Sequence, residues 1–227
     1  MFVTEKIPGD AIFIIGAGRF GSRAARLLDE QSNGRLFVLD TDHSRLSELG
    51  DVPVKRIPCD GILFLVENFH LLNPGNVVVP AVPMNLVYEW LHRYLKEDYI
   101  IRRIETPQAI EPLLPHTWPG SEGSLLISYA DFVCPDDCPE PGCCTVTGER
   151  RERPLYDLLN GLDAGDFRVH VIRSRQLAPG LGGYKVADLA GTAEKLTRDD
   201  RGQWLLGTSC KCHGIVTALD IRATGLK

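Results

Sequence analysis

The chain has 227 residues, 44% of them hydrophobic and 24% charged, which excludes a disordered or low-complexity polypeptide. Its 25 Lys and Arg against 30 Asp and Glu give a net charge of −5, and that balance disfavours a dedicated nucleic-acid binder. Apolar runs such as 11–17 and 77–82 fall far short of the ~18 residues that cross a bilayer. Residues 1–10 carry Glu5, Lys6 and Asp10 where a signal peptide has an apolar core. The expectation is a cytoplasmic protein without a membrane span.

Residues 11–15 form an apolar run that stops at glycine, the pattern of a buried parallel strand. Residues 19–28 follow with Phe20, Ala24, Leu27 and Leu28 at helical spacing. A second strand, 36–39, ends at Asp40, and a short helix over 44–49 has Thr41 or Asp42 as its cap. Residues 52–57 read as an edge strand, given Pro53 and Pro58. Ile62, Leu65, Val66 and Phe69 mark a helix, 73–76 a turn and 77–79 a strand. Val87, Trp90, Leu91, Tyr94 and Leu95 mark one face of a further helix. This alternation predicts a parallel sheet with helices on both faces.

Beyond residue 98 the pattern loosens. Residues 100–104 and 125–133 read as strands on either side of a Pro-rich connection. Residues 149–153 are a charge run, read as solvated surface, and 167–172 alternate like a strand. Residues 179–183 read as a Gly-rich turn ahead of a helix carrying Val186, Leu189, Ala190, Ala193 and Leu196 on one face. Residues 204–206 and 215–219 read as closing strands. The predicted fold class is α/β: a Rossmann-like parallel sheet over 1–133, then a smaller mixed α/β cysteine-rich C-terminal part over 134–227, with room for it to pack on the same sheet.

Residues 16–21 spell G-x-G-x-x-G between a predicted strand and a predicted helix. In that context Gly16 permits the tight turn, Gly18 lets the backbone approach a pyrophosphate, and Gly21 lets the helix pack close to the strand. The free N–H groups and the dipole at the helix start then face the phosphates, with Ala17, Arg19 and Phe20 in the same turn. Asp40, followed by Thr41, ends the second strand where an acid accepts the ribose hydroxyls, which favours NAD(H) over NADP(H). Asp60 faces the nucleotide or caps the helix at 62. Pro80 and Ala81 open the loop after the fourth strand, a wall for ribose or nicotinamide or simply a helix entry.

The stretch from 12 to 49, with Gly16, Gly18, Gly21, Asp40 and Asp42, resembles the TrkA-N (RCK-type) NAD-binding domain of bacterial potassium-uptake regulators. Cys59-Asp60 lies near the position of that family's Gly-Asp pair after the third strand. The resemblance covers about residues 10–60. It implies a Rossmann fold that binds NAD(H) or another adenine nucleotide, often as a homodimer.

Six of the seven cysteines fall in two clusters, Cys134, Cys138, Cys143 and Cys144, then Cys210 and Cys212 beside His213. With no export signal, such clusters point to metal or redox chemistry ahead of a disulfide framework. Residues 104–149 hold eight acids and neither Lys nor Arg, so thiolates there repel one another unless a cation binds. This predicts a metal centre with those six cysteines and His213 as candidate ligands. The first pair suits zinc, whereas the proline after Cys134 and Cys138 suits ferredoxin-type iron–sulfur ligation, to which the reading leans slightly. Buried thiols acting as small hydrophobes, or a reversible disulfide, remain open. The expected function is an NAD(H)-binding protein with a cysteine-ligated metal centre, a redox or nucleotide-responsive regulator read by a protein partner. The alternative is an NAD-dependent oxidoreductase or electron-transfer protein using the iron–sulfur or zinc site.

Overall fold

The computed structural model describes residues 7–199 and 201–225, with the backbone alone for Gln31. In the first of two sheets, β1 (Ile12–Ile15), β2 (Leu36–Asp40), β3 (Lys55–Pro58) and β4 (Val77–Pro80) run parallel in the order β3-β2-β1-β4. Between them lie the helices α1 (Arg19–Ser32), α2 (His43–Ser47) and α3 (Gly61–Asn68). Asp42 caps α2 by accepting the N–H of Ser44.

Helix α4 (Leu86–Tyr94) leads to the second sheet. There β6 (His116–Pro119), β7 (Leu125–Ser128), β12 (His213–Ala223), β11 (Arg201–Ser209) and β8 (Arg168–Arg173) lie side by side in that order. β5 (Tyr99–Arg103) pairs with the far half of β12. Helix α5 (Leu155–Asn160) precedes β8. The chain then returns to the first sheet as a hairpin of β9 (Arg175–Ala178) and β10 (Leu181–Lys185), with β10 antiparallel to β4, before α6 (Val186–Thr197).

Strand alternation builds the layers. Phe13 and Ile15 join Trp90, Leu91, Leu189, Leu206 and Leu219 in the core between the sheets, whereas Ile14 faces Ala24 and Leu28 of α1. On the outer face of the second sheet, Leu205 and Ala218 pack against Leu155 and Leu159 of α5. The result is α1/α2, sheet, α3/α4/α6, sheet, α5, so the α/β class holds.

The sheets do not divide at residue 133: β5, β6 and β7 belong to the second sheet, and β9 and β10 belong to the first. The Pro-rich connection contains β6, an edge strand that needs no ladder donor from its proline. The strand read over 125–133 stops at Ser128, whose Oγ accepts the Ala130 N–H and turns the chain. Residues 181–185 are strand β10 rather than part of a turn. A Cβ on Gly183 would lie 2.9 Å from Val78 O, so that glycine serves close strand packing. No helix among the described residues is long and apolar enough to cross a membrane.

Candidate functional site

The β1–α1 turn uses its three glycines differently. Gly16 has φ +102, and a Cβ there would lie 2.6 Å from Ala81 O. A Cβ on Gly21 would lie 1.9 Å from Gly16 O, so the helix could not sit this close to the turn. Gly18 has φ −66 and ψ −168, extended backbone open to any residue, and a Cβ on it would meet nothing within 4 Å. No protein contact requires glycine there. Helix α1 also begins with no side-chain cap and no acid in its first turn; the acids near its N-terminal dipole come from elsewhere in the chain, Asp40 on the Ala17 N–H and Asp136 on Arg19.

Asp40 is the buttress of this turn. Its Oδ2 accepts the Ala17 N–H at 2.7 Å, its Oδ1 accepts the Asp42 N–H at 2.9 Å, and its side chain is 9% exposed beside Arg45. Thr41 is exposed next to it. Asp60 takes the cap role: it accepts the N–H groups of Ile62 and Leu63 and pairs with Arg93 at 3.2 Å. Ala81 donates its N–H to Ile15 O at 2.9 Å, so the loop after β4 is tied to the end of β1.

A cavity of about 910 Å³ opens beside the turn. Arg19, Phe20, Pro80 and Tyr184 line one part of it, and Cys134, Cys138, Cys144, Cys210, Cys212 and His213 line another. Five of the six clustered cysteines thus share this cavity with two residues of the Gly-rich turn. Cys143 is exposed and its backbone forms an isolated bridge with Arg150.

The loop 134–144 reaches this place through named bonds. Cys138 O accepts the N–H of Gly180 at 2.7 Å and Nε2 of Gln176 at 2.9 Å, both from the β9–β10 hairpin. Asp136 pairs with Arg19. From the β11–β12 turn, Lys211 Nζ donates to Glu140 O at 2.9 Å. In that turn the Cys210 sulfur accepts the N–H groups of Cys212 at 3.5 Å and His213 at 3.4 Å, with His213 Nδ1 at 3.8 Å.

The thiols differ in acidity. Burial, with help from Glu140, pushes Cys210 up to about 12. Backbone N–H groups of Thr147 and Val146 and the Thr147 hydroxyl bring Cys144 down to about 7. Burial and the neighbouring Cys138 and Cys144 raise Cys134. Burial also raises Cys212, against the opposing pull of Arg151, and lowers His213.

Arg151 is the residue that sequence reasoning missed. It lies in the charge run read as solvated surface, yet its side chain is 9% exposed and sits against the Tyr129 ring and the Cys212 sulfur, near Cys144. The thiols therefore have a cation beside them, which removes the premise that only a bound metal ion could offset their charge. Among the described residues no three His, Cys, Asp or Glu side chains are placed to hold one metal ion. Asp136 was readable as a residue between two cysteines, but nothing local showed that it reaches Arg19.

The family model AF_1314_C, described as "Uncharacterized protein, C-terminal domain", matches residues 87–222. An uncharacterized protein of Archaeoglobus fulgidus is 29% identical over 221 residues, covering 91% of this chain and 97% of its own length. No solved structure matches the chain.

Proposed function

The chain belongs to the AF_1314_C family, and we propose that it binds NAD(H) on the β1–α1 turn and acts as a redox or nucleotide-responsive regulator. The observation that carries this reading is the shared cavity, in which Arg19 and Phe20 of the turn and five cysteines line one space. The turn fits a diphosphate. Gly18 leaves open a place that a Cβ would fill, the start of α1 has no cap of its own, and Arg19 adds a cation. The order β3-β2-β1-β4 supports the same placement, because ligands of open α/β sheets sit outside the carboxyl ends of the strands. In this reading Asp40, at the end of β2, accepts the ribose hydroxyls on the lone pairs that its bonds to the Ala17 and Asp42 N–H groups leave free.

A metal ion on the thiol wall would start from one pair, since among the described residues no third His, Cys, Asp or Glu side chain is placed to complete its coordination. The spacing of Cys210 Sγ and His213 Nδ1, 3.8 Å, is close to the roughly 3.5 Å between sulfur and nitrogen on one tetrahedral zinc. Two backbone N–H groups already point at that sulfur, as they do at metal-bound thiolates. A nitrogen donor shifts the balance from an iron–sulfur cluster toward zinc. The oxidoreductase reading draws on the same cavity, which brings the thiols near the strand ends.

Calorimetric titration with NAD⁺ and NADH tests the dinucleotide, and zinc and iron assays on anaerobically purified protein test the metal. Heat of binding with the wild-type chain and none with Gly18→Asp is the expected result. Absence of heat with both coenzyme forms overturns the reading. Protein free of zinc and iron removes the metal and leaves the thiols as the responsive group.

A further inference from the structure

We propose that Asp136 is a built-in competitor for the diphosphate. Its ion pair with Arg19 latches the cysteine loop onto the start of α1, and a bound diphosphate takes Arg19 away and releases the segment carrying Cys134. The proposal rests on the dinucleotide reading and says how the two walls of the cavity communicate.

Arg19 is the first residue of α1, and Asp136 lies midway between Cys134 and Cys138. Both line the same cavity. Their side chains are 74% and 43% exposed, so the pair is solvated, worth little by itself, and easily exchanged. A diphosphate seated at the helix start carries more charge than one carboxylate and gains the helix N–H groups as well. It also repels Asp136 at close range. Arg19 then turns to the phosphates and the carboxylate leaves.

The other ties of the loop do not involve α1. Cys138 O is held by Gly180 and Gln176, and Glu140 O is held by Lys211. The backbone of Asp136 lies against Gly180, where a Cβ would come within 1.7 Å of Asp136 O. Losing the Arg19 contact therefore frees the part of the loop next to α1 while its far side stays anchored. Pro135 stiffens the link between Cys134 and Asp136, so these two move together while Cys138 stays with the hairpin. Coupling of this kind is reciprocal: whatever loosens the loop tightens nucleotide binding.

The experiment compares the wild-type chain with Asp136→Asn, a substitution at an exposed position that keeps the side-chain shape. ADP is the probe, because it supplies the diphosphate without a nicotinamide half that could itself cover the thiols. Titrations should show Asp136→Asn binding ADP roughly threefold to tenfold more tightly, the scale of one exposed charge acting on a neighbouring dianion in water. The gap should close near 0.5 M salt, roughly, where such pairs are screened. A short N-ethylmaleimide pulse with peptide mapping should show ADP speeding the labelling of Cys134 in the wild type and leaving Cys138 and Cys59 unchanged. Asp136→Asn should label fast without ADP. ADP binding with unchanged labelling and equal affinities overturns the latch alone. No binding of ADP or NADH to either protein overturns the dinucleotide reading and the latch with it.

Discussion

Gly18→Asp separates a glycine kept for a ligand from one kept for the fold. The backbone at Gly18 suits any residue, and a Cβ there meets no atom within 4 Å. As the first flanking residue of α1, an aspartate would accept a helix N–H and place its charge on the positive end of the dipole. Capping contributes about 0.5 kcal/mol over glycine and the charge about 0.3–1 kcal/mol. The narrower unfolded ensemble adds about 0.4–1 kcal/mol. The sum, about 1.2–2.5 kcal/mol, raises Tm by roughly 2–10 °C for a chain of this size. The same carboxylate occupies the N–H groups a diphosphate needs and repels it, so affinity for NADH should fall by at least ~100-fold, or ~2.7 kcal/mol. Scanning calorimetry and titration calorimetry on one preparation read both effects. A lower Tm would show that Gly18 is needed by the fold, and an unchanged affinity would show that the phosphates lie elsewhere.

Gly21→Ala should do the opposite to stability. Its Cβ would lie 1.9 Å from Gly16 O, so α1 must move off β1 at about 1–3 kcal/mol, read as a Tm lowered by several degrees. Gly180→Ala faces both φ +68 and the Asp136 carbonyl at 1.7 Å; it should detach the loop and speed maleimide labelling of Cys138, and an unchanged rate would refute the anchoring given to Gly180. His170, whose Nε2 lies 3.0 Å from Thr192 Oγ1 with Lys195 3.2 Å from its Nδ1, is lowered by burial and by Lys195 from 6.5 to about 4. The unfolded chain then binds the extra proton first. The stability this group contributes is present above pH 6.5 and is lost, on the order of 2 kcal/mol, as pH falls toward 4. Urea denaturation of His170→Gln should show a shallower decline across that window, and parallel curves would refute the assignment.

Long apolar periodicity made α1, α4 and α6 legible, and the first sheet followed from the runs between them. The elements that escaped are short. α5 has six residues, too few for a period to register, and β6 hides two of its four residues behind His116 and Pro119. Glycine was ambiguous for a physical reason: the same residue permits a turn at Gly180 and close strand packing at Gly183, and only the neighbours tell them apart. The Gly-rich turn was readable because its residues act locally. The thiol wall was readable as composition and not as geometry. Cys144 and Cys210 lie 66 positions apart, and Arg151 enters their neighbourhood by a fold that no local charge pattern encodes.

The direction of one strand explains why the two walls meet. Beyond β4 the first sheet continues with β10, and β10 is antiparallel, with Tyr184 opposite Val78 and Lys185 opposite Val77. Its first residues therefore lie at the carboxyl edge of the parallel strands, the edge where the β1–α1 turn stands. The hairpin tip Pro179-Gly180 comes with them, and Arg23 of α1 donates to Pro179 O at 3.0 Å. Gly180 then holds Cys138 O, and the cysteine loop is set beside Arg19. A parallel strand in that position would begin at the opposite edge, and its preceding turn would carry the loop away from α1. The antiparallel return of β10, rather than anything in the cysteine segment itself, is what gives the thiols and the Gly-rich turn a common cavity.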